Sequence, residues 1–512
     1  MSEADFSAAA NATPAGAEEE AKAPPTNSEE DQQRTRVAVL TAADPIDPAV
    51  EKRLRRKFDC SLLPLVFVAY LLAFLDRSNI GNAETAGMSA DLGFDDAHFQ
   101  WLLTIFYIPY ILFEWCALMW KLVPPHIWAG ITVMTWGLAS TLQAAAFNWE
   151  GLMVCRWFLA MAEAAFAPGV PYLLSFFYRR NELGLRCGIF LSAAPLATTF
   201  AGALASAITS NPHIRLAPWR LLFLVEGLPT LLFALLIFLR LPDSPDTARF
   251  LTPSEKAVAR SRAILQSGQE GHGRLGTVDL GEIPAALGSL STVLPALMYF
   301  SCNVSFSSLP VFLPAVLSSM GFSSLSAQGL TAPPYFVAFL VCIGTTYLAD
   351  RTQQRGLAIA LLSVMAAAGY VLLATVRSVA VRYLGVFLAA AGVFPAIANI
   401  LPWTLNNQGT DTRRGAGIAV LNIIGQCGPL LGTRLFPAAE KPYYVKGMAV
   451  CAAFMGFNAL LAGTLRWHLA RKNRALEEAE AAMAGTAHTG VDFAAAKGPV
   501  EMEGTVGYRY VL

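Results

Sequence analysis

The sequence predicts an all-α membrane protein of twelve transmembrane helices in two six-helix bundles, and three observations predict it. First, charged residues make up 14 % of the 512-residue chain and hydrophobic residues 55 %, where soluble proteins average about 25 % charged. So few polar groups cannot cover a water-facing surface, and the apolar surface must face lipid. Second, the apolar residues gather into runs of membrane-spanning length, roughly 20 residues each. Barrel strands would instead alternate in polarity over about ten residues. Third, the runs fall six and six around one long polar stretch, the layout of a two-half transporter.

In chain order, residues 1–52 are an N-terminal tail rich in Ala, Glu, Pro, Ser and Thr, with the acidic run Glu18-Glu19-Glu20. This composition predicts disorder, and no apolar signal-peptide core follows a basic start. The first bundle, 53–240, holds spans near 60–84, 99–121, 126–147, 151–177, 186–209 and 219–240. A polar loop occupies 241–289, where Thr252 to Glu255 reads as a capping box with Pro253 at the first helical position; a short helix should start there. The second bundle, 290–470, holds spans near 290–317, 327–349, 356–376, 381–403, 413–436 and 444–468, and residues 471–512 form a C-terminal tail. Pro109, Pro168, Gly169, Pro171 and Pro195 lie inside spans, where such residues mark bends beside cavities.

Lys and Arg give the orientation. Arg53, Arg55, Arg56 and Lys57 precede span 1, Arg471 and Lys472 follow span 12, and Arg179-Arg180, Arg351, Arg355 and Arg413-Arg414 lie in the loops after spans 4, 8 and 10. With twelve spans these share one side. Arg215, Arg220, Arg377, Arg382, Lys441 and Lys446 lie on the other. The basic segments flanking the first and last spans decide the matter, placing both termini and the 241–289 loop in the cytoplasm. Net charge is zero, so nothing recommends a nucleic-acid partner. Eight Cys and six His are scattered singly, which leaves no disulfide scaffold, metal module or nucleophile–base constellation for an enzyme.

Ionisable groups inside spans are costly, so each is a functional candidate. Arg77 keeps its charge and presents a planar fork that matches a carboxylate; facing a cavity it would anchor an anion, and at a helix end it would snorkel beside Asp76. Glu84, two turns along, could be its resting partner. Arg156 and Glu163 are also two turns apart on one face of span 4. Glu163 lies mid-span, where it could carry a proton through a transport cycle or act as a structural partner of Arg156. Glu114 and Glu226 read as structural. The second half offers uncharged polar groups instead: Tyr299, Asn303, Asn399, Trp403, Asn406, Asn422 and Gln426. Asn422 and Gln426 share a helix face, and Gly428 and Gly432 beside them suit close packing.

Phe74-Leu-Asp-Arg-Ser-Asn-Ile-Gly-Asn82 in span 1 resembles the signature of fungal allantoate-permease-like transporters, the anion:cation symporter branch of the major facilitator superfamily. Ile105-Phe-Tyr-Ile-Pro-Tyr-Ile-Leu-Phe-Glu114, the stretch from Arg156 to Gly169, Pro242-Asp-Ser-Pro245, Leu330-Thr-Ala-Pro-Pro-Tyr335 and Tyr508-Arg-Tyr-Val-Leu512 also fit. The resemblance covers about 60 to 470 and the last residues. It implies alternating access around a central cavity and proton-coupled uptake of a small organic anion or vitamin, such as allantoate, nicotinate or pantothenate. It also implies that Arg77 faces substrate and Glu163 couples protons, as in sialin and the vesicular glutamate transporters. The candidate substrate-binding set is Arg77, Asn79, Tyr107, Asn303, Trp403, Asn422 and Gln426; Glu163, Asp76 and Glu84 are the proton-coupling set. The superfamily's charged loop motif survives as Leu348-Ala-Asp-Arg-Thr-Gln-Gln-Arg355, making Asp350, Arg351 and Arg355 gating candidates, and has eroded between spans 2 and 3 to Lys121-Leu-Val-Pro-Pro-His126. No cofactor is expected beyond the proton gradient. The expected partners are an anionic small molecule, protons and the lipid bilayer, and the expected state is a monomer in a fungal plasma membrane. A metabolite or drug exporter of the same fold, or a nutrient sensor, are the alternatives.

Overall fold

Every described regular element is a helix, and the helices follow the apolar runs. The computed structural model describes residues 47–210, 215–267, 288–408, 411–486 and 510–512; of the tail expected over 1–52, residues 1–46 lie outside them, and the stretch from Pro48 is already helical, as the start of the helix Pro48–Ser61. Lys52–Leu512 form one unit. Spans 1 to 6 are Leu63–Thr85, Asp96–Phe113, Pro125–Gln143, Trp149–Phe166 continued by Gly169–Ser175, Arg180–Thr209 and Pro218–Arg240. Spans 7 to 12 are Leu290–Ser319, Ala332–Thr352, Arg355–Thr375, Val379–Asn406, Asp411–Gly425 continued by Gly428–Gly432, and Val445–Thr486. Ten described helices are long and apolar enough to cross a membrane. The other two passes are span 3, where Thr132, Thr135, Ser140 and Thr141 dilute the apolar run, and span 11, interrupted between two short pieces.

The interruptions have local causes. Span 2 ends earlier than its apolar run, passing at Glu114 into the 3-10 turn Glu114–Leu118 one turn after Pro109. Span 4 breaks at Pro168, which cannot donate to the helix ladder. The Ala165 carbonyl near that break is taken instead by the indole N–H groups of Trp120 (2.9 Å) and Trp128 (3.1 Å). Asp95 and Asn148 cap spans 2 and 4 by accepting the backbone N–H groups of His98 (2.9 Å) and Gly151 (3.0 Å).

The end of the molecule where spans 1 and 12 meet the tails carries a belt of ion pairs. Glu182 at the start of span 5 accepts from Arg55 (3.2 Å) and Arg262 (2.6 Å), and Arg186 holds Asp59 at 2.7 Å. Lys57 donates to Glu255 at 2.7 Å, which holds that carboxyl below its usual range. The Thr252–Glu255 capping box is present: the Thr252 N–H donates to Glu255 (2.9 Å), and the Glu255 N–H to the Thr252 hydroxyl (3.4 Å). These contacts pin the helix Pro253–Ser267 under span 5. The eroded loop between spans 2 and 3 has its own tie, with His126 donating its backbone N–H to Asp243 at 3.0 Å.

Span 12 runs well past residue 471 as a continuous helix to Thr486, so the tail starts later than its Ala- and Glu-rich composition suggests. The last three residues return to this end and are clamped by hydrogen bonds. Asn473 exchanges two hydrogen bonds with the Tyr510 backbone (2.8 and 2.9 Å), and Asn407 two with Val511 (2.8 and 3.0 Å). The Trp403 indole donates to the Val511 carbonyl at 2.8 Å. The Leu512 carbonyl accepts the N–H of Gly356, in the first turn of span 9, at 3.1 Å.

Candidate functional site

Span 1 projects Asp76 and Arg77 in different directions, about 100° apart round the helix. Arg77 turns toward span 4, where its Nε and Nη2 both donate to Glu163 Oε2, at 3.1 and 2.6 Å. Its guanidinium is boxed by the rings of Phe106 (4.9 Å) and Tyr110 (5.0 Å) of span 2. These rings share one face with Leu103 and Tyr107, the consequence of a three- and four-residue spacing. Arg156 reaches the same place from span 4, stacked on Phe106 at 5.1 Å, with its Nη1 donating to the Arg77 carbonyl at 3.5 Å. Arg77 and Arg156 open onto a small cavity whose first-half wall includes Leu103 and Tyr107. The second half supplies Phe306, Ser307, Pro310, Phe312 and Thr433. One end of the site is therefore cationic and the opposite wall largely apolar.

The expected partnerships are redistributed. Glu84 is not beside Arg77: it accepts from Ser89 past the end of span 1, and Glu163 takes the place expected for it. Arg156 makes its hydrogen bond to the Arg77 carbonyl and not to Glu163. Asp76 faces spans 3 and 6, accepting from Ser140 (2.5 Å) and Thr230 (3.2 Å). Asn79 is fully buried one turn further on and does not line the cavity. Tyr107 does line it.

The second-half candidates lie elsewhere. Asn303 donates to the Gly425 carbonyl at 3.1 Å, at the break in span 11, and Trp403 belongs to the C-terminal clamp. Asn422 and Gln426 are buried and outside the cavity lining. Hydropathy flagged these groups as polar within apolar runs, which cannot tell a side chain that faces a ligand from one that satisfies a bent backbone. Phe106 and Tyr110 enter the sequence reading only within the motif Ile105–Glu114, and Phe306, Ser307 and Thr433 not at all, because rings and single hydroxyls are ordinary in a membrane span; the three- and four-residue spacing of Leu103, Phe106, Tyr107 and Tyr110 is the signal that marks a shared face.

The gating candidates meet the first half. The buried Arg355 donates to Asp350 and lies 3.4 Å from Asn399 Oδ1. A Cβ on Gly184 of span 5 would collide with that guanidinium. Arg351 instead stacks on Tyr347 at 5.1 Å. At the opposite end Thr104 and Thr433 meet at 3.2 Å, and the Ala438 N–H donates to Asp96 at 3.2 Å. Among the described residues no group of three or more His, Cys, Asp and Glu is placed to hold a metal ion.

Residues 66–433 match the family described as Major Facilitator Superfamily. An uncharacterised transporter of Schizosaccharomyces pombe is 32 % identical over 456 residues, 86 % of this chain and 87 % of that one. The high-affinity nicotinic acid transporter of Saccharomyces cerevisiae is 29 % identical, covering 80 % of this chain and 77 % of its own. Among solved structures, an inward-facing bacterial homologue of the human lysosomal transporter Spinster superposes with a TM-score of 0.55 at 15 % identity, over 78 % of this chain and 95 % of that one, a likeness of fold.

Proposed function

The chain belongs to the Major Facilitator Superfamily and is a membrane transporter, not an enzyme, and from that premise we propose that it takes up a small organic carboxylate together with a proton. The supporting observation is the charge count at the cavity. Two arginines, Arg77 and Arg156, open onto it, and Glu163 is the one carboxylate hydrogen-bonded to either among the described residues.

Both donors of Arg77 converge on a single Glu163 oxygen, so the fork is occupied while Glu163 is ionised. A proton on Glu163 removes that charge and frees the fork for two parallel hydrogen bonds to an incoming carboxylate. The site then carries the same net charge empty, with Glu163 ionised, as it does loaded with proton and anion. Neither form meets a larger charging penalty when the cavity closes, and binding proton without anion, or anion without proton, is disfavoured. That is the logic of obligatory symport by alternating access. The resemblance of span 1 to allantoate-permease-like symporters and the nicotinic acid transporter among the relatives support a carboxylate substrate. The basic flanks of spans 1 and 12 support cytoplasmic termini.

Uptake of labelled nicotinate, and of a panel of other small organic acids, by cells expressing this chain tests the reading. Accumulation of at least one acid should rise as the outside is acidified and collapse with a protonophore. Accumulation indifferent to the proton gradient across the whole panel would overturn it.

A further inference from the structure

On the face of span 1 turned away from Arg77 lies a second set of buried polar groups with no part in the cycle above. Asp76 accepts from Ser140 of span 3 and Thr230 of span 6, at 2.5 and 3.2 Å, which fixes where three helix faces meet. One turn further along each helix stands another polar side chain: Asn79 after Asp76, Gln143 after Ser140, and Glu226 before Thr230. Spans 1 and 3 run in one direction and span 6 in the other, so all three steps lead toward the same end of the bundle. Asn79 and Gln143 are 0 % exposed and Glu226 3 %. None of their six side-chain polar atoms has a hydrogen-bond partner.

Buried polar atoms without partners are rare, and the four oxygens among these six, carried on three helix faces that meet at Asp76, call for a ligand. The available donors describe it. Glu226 offers two carboxylate oxygens, Asn79 and Gln143 one carboxamide oxygen each, and Asp76 stands one turn away; no nitrogen or sulfur ligand of the transition-metal kind is present. Asp76 already accepts a hydroxyl on each oxygen, so Glu226 is the carboxylate of the two with both oxygens free to meet a ligand. The charged groups facing this region are Asp76 toward Glu226, and Glu163 and Arg156 of span 4 toward Asp76. No cation is hydrogen-bonded to either carboxylate among the described residues.

We propose that Asn79, Gln143 and Glu226, backed by Asp76, form a second binding site for one small monovalent cation, either Na+ or a proton carried on water. The site is separate from the central cavity, which none of these four side chains lines. The two sources present the same demand, a single positive charge ringed by oxygens, and they separate by experiment. The full chain carrying Glu163→Gln is purified in detergent, so that the central carboxylate contributes no response of its own, and its melting temperature is followed. If Na+ occupies the site, replacing choline chloride by NaCl at fixed pH raises the melting temperature by about 3 °C or more. If a proton does, acidification from about pH 8 to about pH 5 gives the rise and Na+ adds nothing, because a ligand bound only by the native state stabilises it. Adding Glu226→Gln abolishes whichever response is seen, and Gln143→Leu, which keeps the volume and removes the oxygen, reduces it. The proposal is overturned if neither Na+ nor acid shifts the melting temperature, or if the response survives both Glu226→Gln and Gln143→Leu unchanged.

Discussion

The two halves use buried polarity differently. In spans 1 to 6 the embedded groups are charged: Asp76, Arg77, Glu114, Arg156, Glu163 and Glu226, all buried or nearly so. In spans 7 to 12 the described polar groups are mostly amides and hydroxyls that serve the protein's own chain. Asn303 holds the Gly425 carbonyl, Asn399 the Pro395 carbonyl, and Trp403 and Asn407 the backbone of Val511. Each sits where the backbone is irregular: a broken span, a proline in a helix, or the chain end. A bent membrane helix frees backbone groups that lipid cannot satisfy, and amides repair them. The first half therefore holds most of the embedded charge, with Arg355 and Arg382 the described buried arginines of the second, which presents to the cavity a shaped, largely apolar wall of Phe306, Pro310 and Phe312.

The largest break in this contrast comes from Glu163→Gln. The variant keeps the shape and a hydrogen-bond acceptor for Arg77 but cannot exchange a proton. Concentrative uptake should vanish while exchange of labelled for unlabelled substrate across proteoliposomes persists. Retained accumulation with unchanged pH dependence would move coupling away from span 4. Next comes Arg77→Lys, which keeps the charge and loses the planar fork. Substrate affinity should fall by about 10- to 100-fold, the worth of one charge-assisted hydrogen bond, with normal membrane targeting. The neutral amide of the substrate should compete poorly against wild type; competition equal to the acid would leave Arg77 a structural partner of Glu163.

The second half is tested by shape. Phe306 packs edge-on against Phe74 at 5.3 Å and lines the cavity. Phe306→Ala should shift preference toward bulkier acids by about 10-fold, since pocket discrimination of size is worth little more. The pH dependence of uptake should not move. A changed pH profile would show that charge coupling reaches across the two halves.

These contrasts were unevenly legible in the sequence. The spans were, because lipid imposes a long uninterrupted apolar run that can be counted, and Arg77 and Glu163 stood out as candidates, because charge inside such a run is costly. Their pairing was not. Sequence separation suggested Glu84 as the partner of Arg77, yet Glu163, 86 residues away, is hydrogen-bonded to it, a product of how spans 1 and 4 pack. The roles of Asn303 and Trp403 were hidden for a related reason. Whether an amide faces a ligand or a bent backbone depends on where the bend falls, and the break at Gly425 follows from glycines that also read as packing surface.

The smallest expected effect concerns the C-terminal clamp. If it is purely a tie within the second half, removing Tyr510, Val511 and Leu512 should leave substrate affinity and pH dependence unchanged. The tripeptide joins the start of span 9, the end of span 10 and span 12 through Gly356, Asn407 and Asn473, none of which lines the cavity. Trp403 and Asn407 are buried beneath the tripeptide, and its removal opens them to water, which can take over the freed groups, so each hydrogen bond adds only about 1 kcal/mol. The whole clamp then lowers the melting temperature by a few degrees at most, about 2–5 °C. Asn407→Ala should cost part of that shift in the intact chain and nothing further in the truncated one, because side chain and tail act as one unit. Full additivity of the two changes would mean that Asn407 stabilises span 10 by another route. A fall in substrate affinity on truncation would mean that the clamp reaches the cavity, and that the second half is less rigid a wall than its bonded amides imply.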